Sequence, residues 1–170
     1  MKPSHFIQSD EVRTYNFGEH NIQIGINKDT FPPSNFTTSL INRLEINKGE
    51  AVLDVGCGTG IIGIYAAKNG ANVYATDISK HAIEQAKINA TSNEVTINFS
   101  QGAYFADYKN NFNKIVANLP QSMIPTNQSP IESHLLSTIK GGAKGNEILL
   151  DFLQVAKQRV DKQTLSLIHI

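Results

Sequence analysis

The sequence predicts an α/β fold, a doubly wound and mostly parallel sheet with helices on both faces. Two observations support this prediction. Short apolar runs alternate with helical patterns from Ala51 onward, and glycine or polar residues such as Asp77 and Asn118 recur where the runs end. Strands that alternate with helices form right-handed crossover units, which build a parallel sheet. Ligands of such sheets bind at the carboxyl ends of the strands, where these residues would lie.

The predicted strands and helices follow one another along the chain in the order that this fold requires. Apolar and β-branched runs predict strands over 51–55, 73–76, 96–99, 114–117 and 164–170. Helical patterns predict helices over 61–69, 80–90 and 147–160. Gly70 is placed to end the first helix, and Ser79 is placed to cap the second at its N-terminus.

The first 45 residues are predicted to form an N-terminal arm of the same unit, before a ligand-binding domain over 46–170. Alternation around Gly18 and Gly25 predicts a hairpin within residues 17–26. A Pro-Pro turn then precedes a short predicted helix over 35–44. Two alternatives stay open for this second part of the arm: it covers the ligand pocket, or it only packs against the domain.

Composition narrows the classes of function. The 170 residues fit one domain, and a formal net charge of zero gives no support to nucleic-acid binding without excluding it. The single cysteine, Cys57, rules out an internal disulfide and is typical of a reducing compartment. The five histidines lack metal-ligand spacing, so we expect no metal site. With no membrane-spanning apolar run and no signal-peptide pattern, a cytoplasmic protein is expected.

The glycine-rich stretch after the first predicted strand can be read in two frames. From Gly58, "GTGIIG" satisfies the dinucleotide pattern, with Asp77 at the spacing of a ribose ligand, as in NAD-dependent oxidoreductases. That frame leaves Asp54 unexplained, because burying an unpaired carboxylate is costly. In the longer frame, "DVGCGTG", Asp54 would accept hydrogen bonds from the loop or meet a positively charged amino group. An oxidoreductase should also carry a Ser/Tyr/Lys or His/Asp catalytic set, and none is evident.

The stretch "VLDVGCGTG" resembles the first motif of class I S-adenosylmethionine-dependent methyltransferases. This resemblance spans about residues 30–170, includes the helix "AIEQAKINA", and implies a Rossmann-like methyltransferase fold. It implies S-adenosylmethionine as cofactor, S-adenosylhomocysteine as product, and ribose binding by Asp77. The implied cofactor-binding residues are Asp54, Gly56, Cys57, Gly58, Gly60, Asp77, Ile78, Gly102, Ala103 and Asn118.

A second stretch, "NLPQ" at 118–121, resembles the Asn/Asp-Pro-Pro-aromatic motif of methyltransferases that act on nitrogen. An amide or exocyclic amine is a poor nucleophile, because its lone pair is delocalised. The side-chain oxygen of Asn118 and the carbonyl of Leu119 would accept its two N–H groups and orient the lone pair. Pro120 would keep the turn rigid. The implied catalytic residues are therefore Asn118, Leu119 and Pro120.

Two further stretches, "GGAKGNEILLDFL" at 141–153 and "DTFPPSNFT" at 29–37, resemble segments of the HemK-like glutamine N5-methyltransferases. This narrower resemblance implies N-methylation of a glutamine side-chain amide in a protein substrate. By the same resemblance, the partner would be a translation release factor or a ribosomal protein. No membrane partner is expected.

The sequence departs from the family pattern at several places. Leu119 replaces the first proline, Gln121 replaces the aromatic residue, and Ala103 replaces an acid that binds the adenine amino group. The run 164–170 is not followed by the usual antiparallel hairpin, and an apolar edge strand favours pairing with a second copy of the chain. Two alternatives therefore stay open: a non-catalytic or partner-dependent domain of this fold, and an N-methyltransferase for a nucleobase or small molecule.

Overall fold

A computed structural model describes residues 9–121, 141–160 and 164–168 of the chain. Seven strands and four helices occupy these residues. The strands are β1 Glu11–Phe17, β2 His20–Ile26, β3 Ala51–Val55, β4 Asn72–Asp77, β5 Asn98–Gln101, β6 Lys114–Ala117 and β7 Leu165–Ile168. The helices are α1 Asn35–Ile41, α2 Ile61–Lys68, α3 Lys80–Ser92 and α4 Glu147–Lys157.

Strands β3 to β7 form a five-stranded parallel sheet in the order β5-β4-β3-β6-β7. The central strand β3 is almost continuously apolar because it is covered on both faces. In register, Val55 at its end lies beside Thr76 of β4 and Ala117 of β6. The loops that follow these three strands therefore emerge at one edge of the sheet, where ligands of this architecture bind.

Helices cover both faces of the sheet, as predicted. On one face, Val52 and Val116 pack with α1, α2 and the β1–β2 hairpin. On the other face, Leu53 and Ile115 pack against α4, which buries Leu149, Phe152 and Ala156. Adjacent residues of β3 thus point to opposite sides, which is the period-two pattern of a strand.

The boundaries differ from the predictions where apolar residues continue beyond an element. Leu44 is buried although α1 ends at Ile41, so the apolar pattern extended the predicted helix by three residues. Strand β5 begins two residues after the predicted 96–99, since Ile97 is already packed in the connecting segment. Ser79 caps α3 as predicted, and its side chain accepts a hydrogen bond from the Ala82 amide.

The hairpin prediction is correct for the turn and for β2 but wrong for its start. Strand β1 runs from Glu11 to Phe17 and pairs antiparallel with His20–Ile26. In β1 only Phe17 is buried, so that strand carries no apolar alternation that a sequence pattern could reveal. Gly18, with a φ of 55°, occupies the turn.

Strand β7 lies at the edge of the sheet beside β6, within the predicted run 164–170. Residues 169 and 170 lie outside the described part of the chain. Pairing of this edge with a second copy stays a prediction. None of the helices that the structure describes is long and apolar enough to cross a bilayer.

Two asparagine side chains at the C-terminal end of α3 hold the backbone of β2. Asn89 lies in the last turn of α3 and Asn93, four residues later, is its C-cap, so the two side chains lie on the same side of the helix. Asn93 bonds to the amide and carbonyl of Gln23, and Asn89 does the same with Gly25. Asn89 also donates to the carbonyl oxygen of Thr59 at 2.8 Å, so one buried side chain connects the arm to the glycine-rich loop.

Replacing Asn89 by alanine is expected to lower the free energy of unfolding by about 3 kcal/mol. The substitution leaves the Gly25 amide and two carbonyl oxygens buried without partners, and each such group costs about 1–3 kcal/mol. Urea unfolding measures the change. Asn21→Ala, which removes an exposed asparagine of the same hairpin, is the control and should change it by less than about 0.5 kcal/mol. Equal effects of the two substitutions would contradict this account.

Candidate active site

A cavity of about 390 Å³ opens at the carboxyl edge of the sheet. Its volume falls in the range of small-molecule sites. The loops that follow β3, β4, β5 and β6 all contribute to it, together with the arm and one residue of α4. The residues that line it are 29–34, 37, 55–59, 61, 62, 77–79, 82, 102–104, 118–120 and 148.

The glycines of the loop after β3 are explained by backbone geometry and close approach. Gly56, Gly58 and Gly60 have φ values of 70°, 52° and 80°, a region that residues with a side chain rarely adopt. A Cβ on Gly60 would lie 3.0 Å from the Cβ of Ala86 in α3. The loop therefore turns sharply and lies against α3. Gly56 and Gly58 line the cavity, whereas Gly60 lies behind it.

Asp77 lies at the end of β4 and braces the glycine loop. One carboxylate oxygen accepts the Gly58 amide and the other accepts the Ser79 amide, each at 2.9 Å. Each oxygen keeps a further lone pair, so the carboxylate has acceptor capacity left toward the cavity that it lines. Burial raises the pKa of Asp77. The structure thus brings Asp77, the residue predicted to bind the ribose, into direct contact with the predicted glycine loop.

Asp54 is placed differently from the sequence expectation. It is fully buried and does not belong to the residues that line the cavity. Its Oδ2 accepts the amide of Gly63 in α2 at 3.1 Å, rather than an amide of the loop, and Oδ1 has no hydrogen-bond partner among the described residues. Asp54 therefore anchors the first turns of α2 behind the loop, and its contact with a cofactor stays a prediction.

The buried Asp54 carboxyl makes stability depend on pH. Burial raises the pKa of Asp54 to about 7, and the nearby charge of Asp77 adds to the shift. In the unfolded chain the pKa is about 3.9, so between these values the folded state binds more protons. The free energy of unfolding therefore falls as pH rises through this window and is level above it.

Asp54→Asn is expected to remove this dependence, because the amide keeps an acceptor for Gly63 and never ionises. Between pH 5 and pH 8 the wild type should lose about 2–3 kcal/mol more free energy of unfolding than the variant. Urea unfolding of both proteins at the two pH values measures the difference. Parallel changes in the two proteins would contradict the assignment.

The predicted catalytic residues Asn118, Leu119 and Pro120 follow β6 and all line the cavity. The side-chain nitrogen of Asn118 donates to the hydroxyl of Thr37 at 3.1 Å. Leu119 is buried against the glycine loop, since a Cβ on Gly56 would lie 3.2 Å from its Cδ2. The leucine that replaces the first proline of the motif thus packs the two loops together.

The remaining predicted cofactor residues also line the cavity. Ile78 is 65% exposed, and Gly102 follows β5 with its amide donating to the carbonyl oxygen of Asp77. Cys57 is buried, and burial raises the pKa of its thiol, so the group is neutral rather than nucleophilic. Ala103 offers no polar side-chain atom. Gln101, two residues before Ala103, donates its side-chain amide to the Ile78 carbonyl and does not line the cavity.

The sequence did not single out several residues that the structure brings to the cavity. Thr30, Thr37, Tyr104 and Ile148 all line it. The Thr30 hydroxyl is buried without a hydrogen-bond partner among the described residues. Thr30 and Thr37 both lie in the segment 29–37, which the sequence singles out by resemblance. No pattern distinguished the two threonines from their neighbours in that segment. Residues of this segment line the cavity, as expected if the arm covers the ligand pocket.

In the part of the chain that the structure describes, no three histidine, cysteine, aspartate or glutamate side chains lie close enough together to hold a metal ion. Only two of the five histidines, His20 and His81, are described.

Comparison with known proteins identifies the family. The model of the methyltransferase small domain matches residues 35–137. A Methanocaldococcus jannaschii protein, provisionally named a protein N5-glutamine methyltransferase, is 34% identical over 134 residues, 78% of this chain and 67% of that protein. The ribosomal protein L11 methyltransferase of Thermotoga neapolitana is 35% identical over 88 residues, 51% of this chain. This chain spans only 33% of that second relative.

A solved structure agrees with these matches. The ribosomal protein L11 methylase of Lactobacillus delbrueckii subsp. bulgaricus superposes with a TM-score of 0.59 and 27% identity, over 82% of this chain and 61% of that one. The family match favours the glycine frame that begins at Asp54 over the dinucleotide frame. The chain belongs to the methyltransferase small domain family, among the class I S-adenosylmethionine-dependent methyltransferases.

Proposed function

We propose that this chain transfers a methyl group from S-adenosylmethionine to a nitrogen atom, and that the acceptor is the side-chain amide of a protein glutamine. The observation that carries the proposal is the position of Asn118. It lies at the end of β6, in the same cavity as the glycine loop and Asp77. A motif typical of nitrogen acceptors thus faces the residues that are typical of the cofactor site.

The residues around the cavity fit this cofactor. Asp77 would hold the ribose hydroxyls with its remaining lone pairs, and Gly56 and Gly58 would allow close approach of the ligand. Ile78 would give an apolar surface to the adenine ring. The buried and unpartnered hydroxyl of Thr30 lines the same cavity and can bond to a polar group of the ligand. When bound, S-adenosylmethionine supplies an electrophilic methyl group and leaves as S-adenosylhomocysteine.

At the acceptor side, the chain contributes orientation rather than a titrating base. The Asn118 side-chain oxygen and the Leu119 carbonyl would accept the two N–H groups of the acceptor amide. This arrangement turns the nitrogen lone pair toward the methyl group and stabilises the positive charge that develops on nitrogen. The nitrogen would gain the methyl group that the sulfur loses and would give up one proton to solvent.

A protein amide is the acceptor that the cavity and the relatives favour together. In the related motif an aromatic side chain at the position of Gln121 would stack on a flat nucleobase. Glutamine offers no such stacking surface, which disfavours a nucleobase as acceptor. Phe31 lines the cavity and is 44% exposed, so it offers an apolar contact to the aliphatic part of an acceptor side chain. The name of the Methanocaldococcus relative specifies glutamine. The cytoplasmic location expected from the sequence is consistent with such a substrate.

The proposal is tested by incubating the purified protein with methyl-labelled S-adenosylmethionine and separate acceptors. These are a translation release factor, ribosomal protein L11, and bulk tRNA. Peptide mass spectrometry then locates the methyl group. We expect one methyl group on a glutamine side chain of a protein acceptor. Label on a lysine or terminal amine of L11 would retain N-methylation but overturn the glutamine assignment.

Two other outcomes would remove more of the proposal. Label in tRNA would move the acceptor to a nucleobase. Tight binding of S-adenosylmethionine with no labelled acceptor would favour the non-catalytic or partner-dependent alternative, in which the Asn118 site no longer transfers methyl groups.

A further inference from the structure

The hydroxyl of Thr37 connects the arm to the predicted catalytic loop. Thr37 is the third residue of α1, is 5% exposed, and lines the cavity. Its Oγ1 accepts a hydrogen bond from the side-chain nitrogen of Asn118 at 3.1 Å, across 81 positions of sequence. No motif in the sequence assigns a role to this threonine.

The other contacts of this hydroxyl are consistent with an acceptor role toward Asn118. Oγ1 also accepts the backbone amide of Ser34 at 3.2 Å, as part of the capping box of α1. The Ser34 hydroxyl lies 3.2 Å away and can take the Thr37 proton. Since a hydroxyl has two lone pairs and one proton, the Ser34 and Asn118 donors together fill its acceptor capacity.

The side-chain amide of asparagine has an oxygen and a nitrogen at nearly equivalent positions. Only the oxygen can accept a hydrogen bond from the N–H of the substrate amide. If the side chain rotated by half a turn about its last bond, its nitrogen would face the acceptor instead and two donors would meet. A fixed partner for the nitrogen prevents this rotation. The capping box holds Thr37 itself, so the partner is fixed by the fold of the arm.

We propose that Thr37 is a positioning residue, which holds Asn118 by its side-chain nitrogen and thereby directs the side-chain oxygen to the methyl-accepting nitrogen. The role in transfer rests on the proposed function, in which Asn118 orients the acceptor. The hydrogen bond itself is independent of which acceptor is used. Thr37 acts through Asn118 and not by contact with the reacting atoms.

Kinetic analysis of Thr37→Val tests the proposal with a matched control. Valine keeps the shape of threonine and removes the hydroxyl, and we expect kcat to fall about tenfold, as for one neutral hydrogen bond lost in the transition state. Calorimetric affinity for S-adenosylmethionine should stay within about twofold. Thr38→Val removes the neighbouring hydroxyl, which bonds to the Ser34 carbonyl and does not line the cavity. This control should keep kcat, and Thr37→Ser should restore most of it.

A double substitution separates positioning from a general loss of structure. In an Asn118→Ala background, Thr37→Val should cause no further loss of kcat, because the two residues act as one unit. Additive losses would overturn the proposal. So would a loss of cofactor affinity as large as the loss of kcat, which would instead make Thr37 a cofactor ligand.

An NMR measurement keeps the inference testable if no acceptor is found. The side-chain amide protons of Asn118, assigned by comparison with Asn118→Asp, should be protected from exchange with solvent. Protection should be lost in Thr37→Val and retained in Thr37→Ser and Thr38→Val. Equal protection in wild type and Thr37→Val would overturn the hydrogen bond, whatever the fate of the proposed function. Normal protection with no methyl transfer would overturn the proposed function alone.

Discussion

Replacing Asn118 by alanine should lower the rate of methyl transfer by about 10²- to 10³-fold while leaving cofactor affinity within a few-fold. The reason is geometric. The side-chain oxygen of Asn118 is the acceptor that would hold the substrate nitrogen at the end of β6, and alanine offers none. Its loss leaves the methyl-accepting lone pair unoriented, which affects kcat more than it affects binding of the methyl donor.

The control for this prediction is Asn118→Asp. Aspartate keeps two oxygen acceptors at the same position, so it should retain more activity than alanine. Steady-state kinetics with saturating S-adenosylmethionine measure kcat for the three proteins. An Asn118→Ala protein with the kcat of wild type would contradict the assignment. Asn118 would then have only a structural role, in the turn that ends β6.

Asp77→Ala is expected to weaken binding of S-adenosylmethionine by about 10²-fold. The substitution removes the predicted acceptor of the ribose hydroxyls, and hydrogen bonds to a charged group contribute about 1.5–3 kcal/mol each. It also leaves the amides of Gly58 and Ser79 without their carboxylate, so the glycine loop loses its brace. Calorimetric titration measures the change in affinity.

The matched control is Asp107→Ala, which removes a carboxylate of the same charge from an exposed position outside the cavity. Its affinity for S-adenosylmethionine should stay within about twofold of wild type. If both alanine variants lose affinity equally, the effect belongs to net charge and not to a ribose contact. Unchanged affinity in Asp77→Ala would remove Asp77 from the cofactor site.

The parallel sheet could be predicted from sequence because its central strands, β3 and β6, are buried on both faces. The run Ala51–Val55 is apolar apart from Asp54, and glycines mark its end. Strand β1 could not be predicted, because six of its seven residues are exposed or half-buried and its partner is held by side chains of α3. That hold depends on Asn89 and Asn93, which come from a helix more than 60 positions away.

The candidate site was predictable where one residue type is needed for a backbone reason or for a recognisable chemistry. Gly58 belongs to the first group, and Asp77 and Asn118 belong to the second. Thr37 was not predictable, because its role depends on meeting Asn118 in space. For Asp54 the residue was singled out correctly but its contact was not. The carboxylate bonds to the Gly63 amide of α2 and does not line the cavity.

A crystal structure of this chain with bound S-adenosylhomocysteine would test the central claim most directly. The account predicts that the ribose hydroxyls lie within hydrogen-bonding distance of the Asp77 carboxylate and that the sulfur faces the side chain of Asn118. Thr37 should still accept the nitrogen of that asparagine. A ligand bound with its sulfur turned away from Asn118, or outside the cavity of the glycine loop, would contradict the account.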